Sequence, residues 1–97
     1  MGDTRRPEIG SICFARAGRD RGRYFAVIGM IDDQYVWIAD GVTRKLGKPK
    51  RKKIKHLSLK PVVLEGIARK LEKGEKVFDA ELKSAIIHTG LITQKEE

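Results

Sequence analysis

Short runs of β-forming residues, each closed by a turn signal, fill the first 57 positions of this 97-residue chain. That spacing constrains the fold more than any other feature, since turns at intervals of roughly ten residues leave no room for long helices. The runs are "SICFARA", then "RYFAVIGMI", a turn at "DDQ", and the alternating "YVWIA". Asp40-Gly41 reads as a two-residue hairpin turn, because glycine tolerates the positive φ such turns demand. It is expected to join "YVWIA" to a strand in "VTRKL", and "KKIKHL" reads as a closing strand with Ile54 inward. Five short strands in so few residues suit a small closed or nearly closed barrel, which hides most of its edges.

Near residue 58 the period changes. In "KPVVLEGIARKLEKGEK", Leu64, Ile67, Ala68 and Leu71 recur at helical spacing. Pro61 suits a first helical turn, Gly74 suits a left-handed stop, and Glu65 precedes Arg69 in the stabilising order. A second helix is expected from Asp79, with its carboxylate capping the amides of "AEL", to just before Gly90. Leu82, Ala85 and Ile86, extended by His88 and Thr89, give it an apolar stripe. Two short amphipathic helices cannot bury their stripes alone. The expected organisation is therefore a barrel over 1–57 and a helical pair over 58–97, packed on the barrel or on a partner. The fold class is mainly β.

Charge is distributed unevenly between these parts. Residues 1–56 hold 14 Lys and Arg against 6 Asp and Glu, whereas residues 57–97 hold 7 of each. The whole net charge of +8 thus belongs to the first part, which points to an interaction surface for a polyanion. The densest stretch is "RKLGKPKRKKIK", where Arg44, Lys45, Lys48, Lys50, Arg51, Lys52, Lys53 and Lys55 are eight of twelve residues. Gly47 and Pro49 interrupt it, so a charged loop is expected. A solvated loop that merely aids solubility is the bland reading. Eight positive charges without one negative repel each other, however, and solubility does not require that. A second set, Arg16, Arg19, Arg21 and Arg23, surrounds two glycines, and arginine's planar fork suits phosphate oxygens.

Other chemistries find little support. Cys13 cannot form an internal bridge, and its apolar neighbours mark it as a buried, reduced core residue. His56 and His88 lie far apart and give no metal-ligand spacing, so no metal or cofactor is expected. The glycines at 18 and 22 lack the Lys and Ser or Thr of a nucleotide cradle. Asp32 and Asp33 fit a turn better than acid–base work. The first ten residues lack a secretory apolar stretch, Arg6 breaks the myristoylation pattern, and no apolar run reaches membrane-spanning length. These features lead to the expectation of a cytoplasmic, non-enzymatic protein with no membrane partner.

Aromatic residues lie close in sequence to the basic sets. Alternation puts Tyr35 and Trp37 on one strand face and Val36 and Ile38 on the other. Exposed beside basic residues, Tyr24, Tyr35 and Trp37 would be base-stacking platforms for unpaired RNA. Burial is the competing reading, and in so small a barrel it is the commoner fate for Trp37 and Phe25.

"GSICFARAGRDRGRYFAVIG" resembles a KOW motif: a strand, then glycine, basic residues and a second glycine, then an apolar strand. Gly18, Arg19, Asp20, Arg21, Gly22 and Arg23 stand where family members typically carry "GKxKGK". Arginine replaces the commoner lysine, and Tyr24 follows where many members have a further glycine. With the "YVWIADG" hairpin, the basic "KPKRKKIKHL" and two terminal helices, the likeness extends over residues 8–90. It is a likeness to small bacterial KOW-domain RNA-binding proteins, which are related to a group of archaeal and eukaryotic large-subunit ribosomal proteins. The resemblance implies an SH3-like barrel and binding to ribosomal or other structured RNA, with Gly18 and Gly22 forming the KOW turn. KOW barrels also dock on proteins, so the alternative is an adapter whose barrel or helical pair docks on a translation or transcription component, with ribosomal or transcription proteins as partners of the C-terminal helices.

Overall fold

The computed structural model describes residues 6–91. The ends of the two expected units, residues 1–5 and 92–97, lie outside that range. Five strands form one antiparallel sheet: β1 (Ser11–Ala15), β2 (Tyr24–Met30), β3 (Tyr35–Ala39), β4 (Lys50–Lys53) and β5 (Leu57–Val63). Their order is β4-β3-β2-β1-β5, so the two edges are consecutive in the chain. Only a three-residue 3-10 turn, Ile54–His56, joins them. So short a link between opposite edges forces the sheet to curl on itself. The result is a small SH3-like barrel, followed by α1 (Glu65–Glu72) and α2 (Asp79–His88).

The curled sheet buries its inner face and part of its outer one. Cys13, Ala15, Phe25, Val27, Val36, Ile38 and Leu57 fill the interior. Strand alternation sends Ile12, Ala26 and Ala39 to the outer face, where Ile67, Val77, Leu82 and Ile86 cover them. The helical pair therefore packs on the barrel, and its apolar stripes end there. A Lys70–Glu81 ion pair at 2.5 Å ties α1 to α2. Gly74, at φ +75°, closes α1 as expected, with the Glu75 amide reaching back to the Lys70 carbonyl at 2.8 Å.

Several expected elements differ. "VTRKL" forms no strand, because the Asp40 carboxylate accepts the amides of Val42, Thr43 and Arg44, each at 2.9 Å, and curls the segment into a capped loop. Gly41, at φ +81°, lets that loop press on α2, since a Cβ there would overlap the Asp79 carbonyl. The Asp79 carboxylate serves the Leu46 amide at 2.7 Å in place of its own helix, so the α2 start is pinned to the barrel. "KKIKHL" is divided among the end of β4, the 3-10 turn and the start of β5. The closing strand continues to Val63 and pairs with β1 through Ser11–Val63 and Cys13–Leu59. It thus runs past the expected boundary at 57/58, and Pro61 sits in a strand rather than a helical turn. An edge strand tolerates proline because one row of its amides has no partner strand.

Candidate nucleic-acid interface

The glycine turn between β1 and β2 is held from within. Gly18 and Gly22 adopt φ of +83° and +90°, a region that L side chains rarely enter. The Gly22 amide donates to the Ala15 carbonyl at 2.9 Å, and Arg21 donates to Gly18 at 3.2 Å. Asp20, at the tip, points inward and is only 4% exposed. Its carboxylate takes a two-point contact from Arg44, at 3.1 and 3.2 Å. The Lys52 ammonium lies 3.8 Å from the same carboxylate and donates to the Ala17 carbonyl at 3.0 Å. With Asp20 turned in, Arg19, Arg21 and Arg23 are left exposed on the outside of the turn. Arg16 is also exposed and donates to the Lys55 carbonyl at 2.8 Å.

Residues 44–55 are not one free loop. Lys50–Lys53 form β4, and alternation divides their charges. Arg51 and Lys53 stand opposite Trp37 and Tyr35, on the outer face of the barrel. Lys50 and Lys52 stand opposite the buried Ile38 and Val36. Lys52 is accordingly 7% exposed, and its stem lies in the barrel while its ammonium braces the turn. A lysine committed to Asp20 and Ala17 is not free to follow a phosphate chain, and Arg44 is similarly engaged. Lys45, Lys48 and Lys55 are exposed, and Lys50 is half-buried. The two basic segments, distant in sequence, therefore meet around Asp20 at one end of the barrel.

The aromatic candidates have three different settings. Tyr24 is half-buried, edge-on to Phe14 at 5.0 Å between ring centroids. Tyr35 is covered by the Arg51 guanidinium, 4.5 Å from the ring centroid, with the Lys53 ammonium at 5.7 Å. Trp37 is 39% exposed while Phe25 is fully buried, so the burial expected of both holds for Phe25 alone. The reason is register: Val36 and Ile38 take the inner face, which turns the indole outward.

Cys13 lies in the barrel core, where burial pushes its thiol up to about 12. His56 ends the 3-10 turn, and the His88 ring contacts the Ser84 carbonyl on α2. Among the described residues no group of three His, Cys, Asp or Glu is placed to hold a metal, and no helix is long and apolar enough to cross a membrane. Charge counting passes over Asp20, which the fold turns inward against Arg44 and Lys52. Its signal was present as the one acidic residue within "RDR".

No protein-family model matches the chain. Two curated archaeal proteins align with most of it. The large ribosomal subunit protein eL14 of Sulfolobus acidocaldarius is 29% identical over 84 residues, covering 87% of this chain and 80% of that protein. The large ribosomal subunit protein eL14 of Staphylothermus marinus is 30% identical over 84 residues, with the same coverage of each.

Proposed function

Because the chain belongs to the eL14 family of large ribosomal subunit proteins, we propose that it is a non-catalytic protein that binds ribosomal RNA through the basic end of its barrel. The observation that carries this reading is the shared anchor at Asp20, which joins Arg44 and Lys52 of one basic segment to the turn of the other. Around that anchor Arg16, Arg19, Arg21, Arg23, Lys45, Lys48 and Lys55 supply the outward charge. Clustered cations of this kind bind a phosphate backbone by releasing its condensed counterions. In this reading Gly18 and Gly22 set the shape of the KOW turn, Asp20 and Lys52 hold it, and the exposed arginines do the contacting. Helices α1 and α2 buttress the barrel, a role supported by the apolar cluster they share with β1, β2 and β3.

The test is affinity for a helix-and-loop fragment of large-subunit ribosomal RNA, measured across a range of salt concentrations. Five engaged side chains give a slope of log K against log salt of about −3.5 to −4.5. Double-stranded DNA of equal length is expected to bind more weakly, because its grooves lack the 2′-hydroxyls and unpaired bases of RNA. A slope near zero, or a preference for DNA, overturns the reading.

A further inference from the structure

The outer face of β3 and β4 carries a separate surface, built around the chain's single tryptophan. Trp37 sits mid-strand yet is 39% exposed, while its neighbours Val36 and Ile38 are fully buried. Alternation, not loose packing, turns the indole outward. Its partner on β2 is Gly29, where a Cβ would come within 3.2 Å of the indole Cδ1. The ring therefore lies against bare backbone, which fixes one side of it. On β4 the residue opposite is Arg51, whose guanidinium is stacked on Tyr35 at 4.5 Å, with the Lys53 ammonium 5.7 Å from the same ring. Such a cation–π contact holds the plane of the guanidinium while leaving its edge free to donate.

Covering a strand glycine is reason enough for an aromatic ring at this position. It gives no reason for an ordered guanidinium, that of Arg51, directly across from the exposed ring. An exposed ring beside ordered positive charge has the chemistry of a single-strand nucleic-acid platform, because every base has a face to stack and every nucleotide brings a phosphate. The exposed acids Asp32 and Asp33, at the tip of the β2–β3 hairpin, oppose a phosphate chain on the Tyr35 side. The favourable path thus leads from Trp37 across β4 at Arg51, toward the exposed Lys48.

We infer that Trp37 stacks one unpaired base of an RNA strand, with Arg51 holding the adjoining phosphate. The inference rests on the RNA-binding reading and adds a site distinct from the KOW turn. Since no other tryptophan is present, tryptophan emission excited selectively at the red edge of the indole band reports on this position alone. Titration with an unstructured oligouridylate is expected to quench that emission. Trp37→Leu is expected to weaken binding of this strand by about 5- to 150-fold, the equivalent of 1–3 kcal/mol per stacked base. Its binding to fully paired RNA should stay within about twofold. Trp37→Phe, which keeps a ring over Gly29, should retain most of the affinity, and Arg51→Gln should reduce the salt slope for the single strand by about 0.7. Unquenched emission, with Trp37→Leu and Trp37→Phe binding like the parent, overturns the inference and leaves a protein as the surface's occupant. Paired RNA that still binds in that case keeps the broader reading intact. Failure of every RNA to bind the parent chain removes both.

Discussion

The glycine turn and the basic run are equally positive to the eye, but the fold treats them differently. In the turn, two glycines at positive φ and an inward Asp20 leave its arginines on the outside. In the run, strand alternation sends Lys53 outward and its neighbour Lys52 into the barrel. Identical side chains one position apart thus have opposite duties. The buried one serves the turn; the outer one lies over the Tyr35 ring. Charge density alone does not separate an outward lysine from an inward brace; register does.

The contrast breaks most severely if the brace is removed. Asp20→Ala leaves the Lys52 ammonium buried beside no carboxylate, and loss of one partner of a buried pair costs about 3 kcal/mol or more. For a chain of this size, thermal melting should show a fall of more than about 10 °C. A variant that melts like the parent contradicts the bracing role. Gly22→Val comes next. No atom lies within 4 Å of a Cβ built there, so the penalty is backbone strain without a clash, about 1–2 kcal/mol, and the variant should fold at reduced stability.

Alkaline pH provides a milder probe of the barrel interior that the brace closes. The Cys13 thiol is raised by burial from an ordinary 9.0 to about 12. A raised folded-state value means that its contribution is complete below pH 9.0 and fades as the pH climbs toward 12. The loss is about 1 kcal/mol by pH 10, read from denaturant melts, and Cys13→Ala should flatten it. Smallest is Lys53→Met, expected to change stability by less than about 0.5 kcal/mol in the same melts.

Much of the fold was legible in the sequence because β1, β2 and β3 carry their own turn signals and alternation. The interior side of β3 could be narrowed to one of two faces from "YVWIA" alone. The end of the barrel was harder. Nothing within "VTRKL" itself distinguishes it from a strand; its loop form comes from the preceding Asp40, whose carboxylate captures three amides. Similarly "LKPVVL" looks helical until β1 is present to pair with it. The basic site was visible as composition, and the turn as a motif. The inward course of Lys52 was not, because it follows from pairing with Val36 across strands.

The salt dependence of RNA binding in two variants tests the division of labour most directly. Arg19→Ala with Arg21→Ala removes two outward charges and should make the slope shallower by about 1.4 to 1.8. Lys52→Met removes an equally positive side chain, but an inward one, and should leave the slope unchanged once folding is verified by amide spectra. A slope that falls with Lys52→Met and holds with the arginine pair would contradict the account.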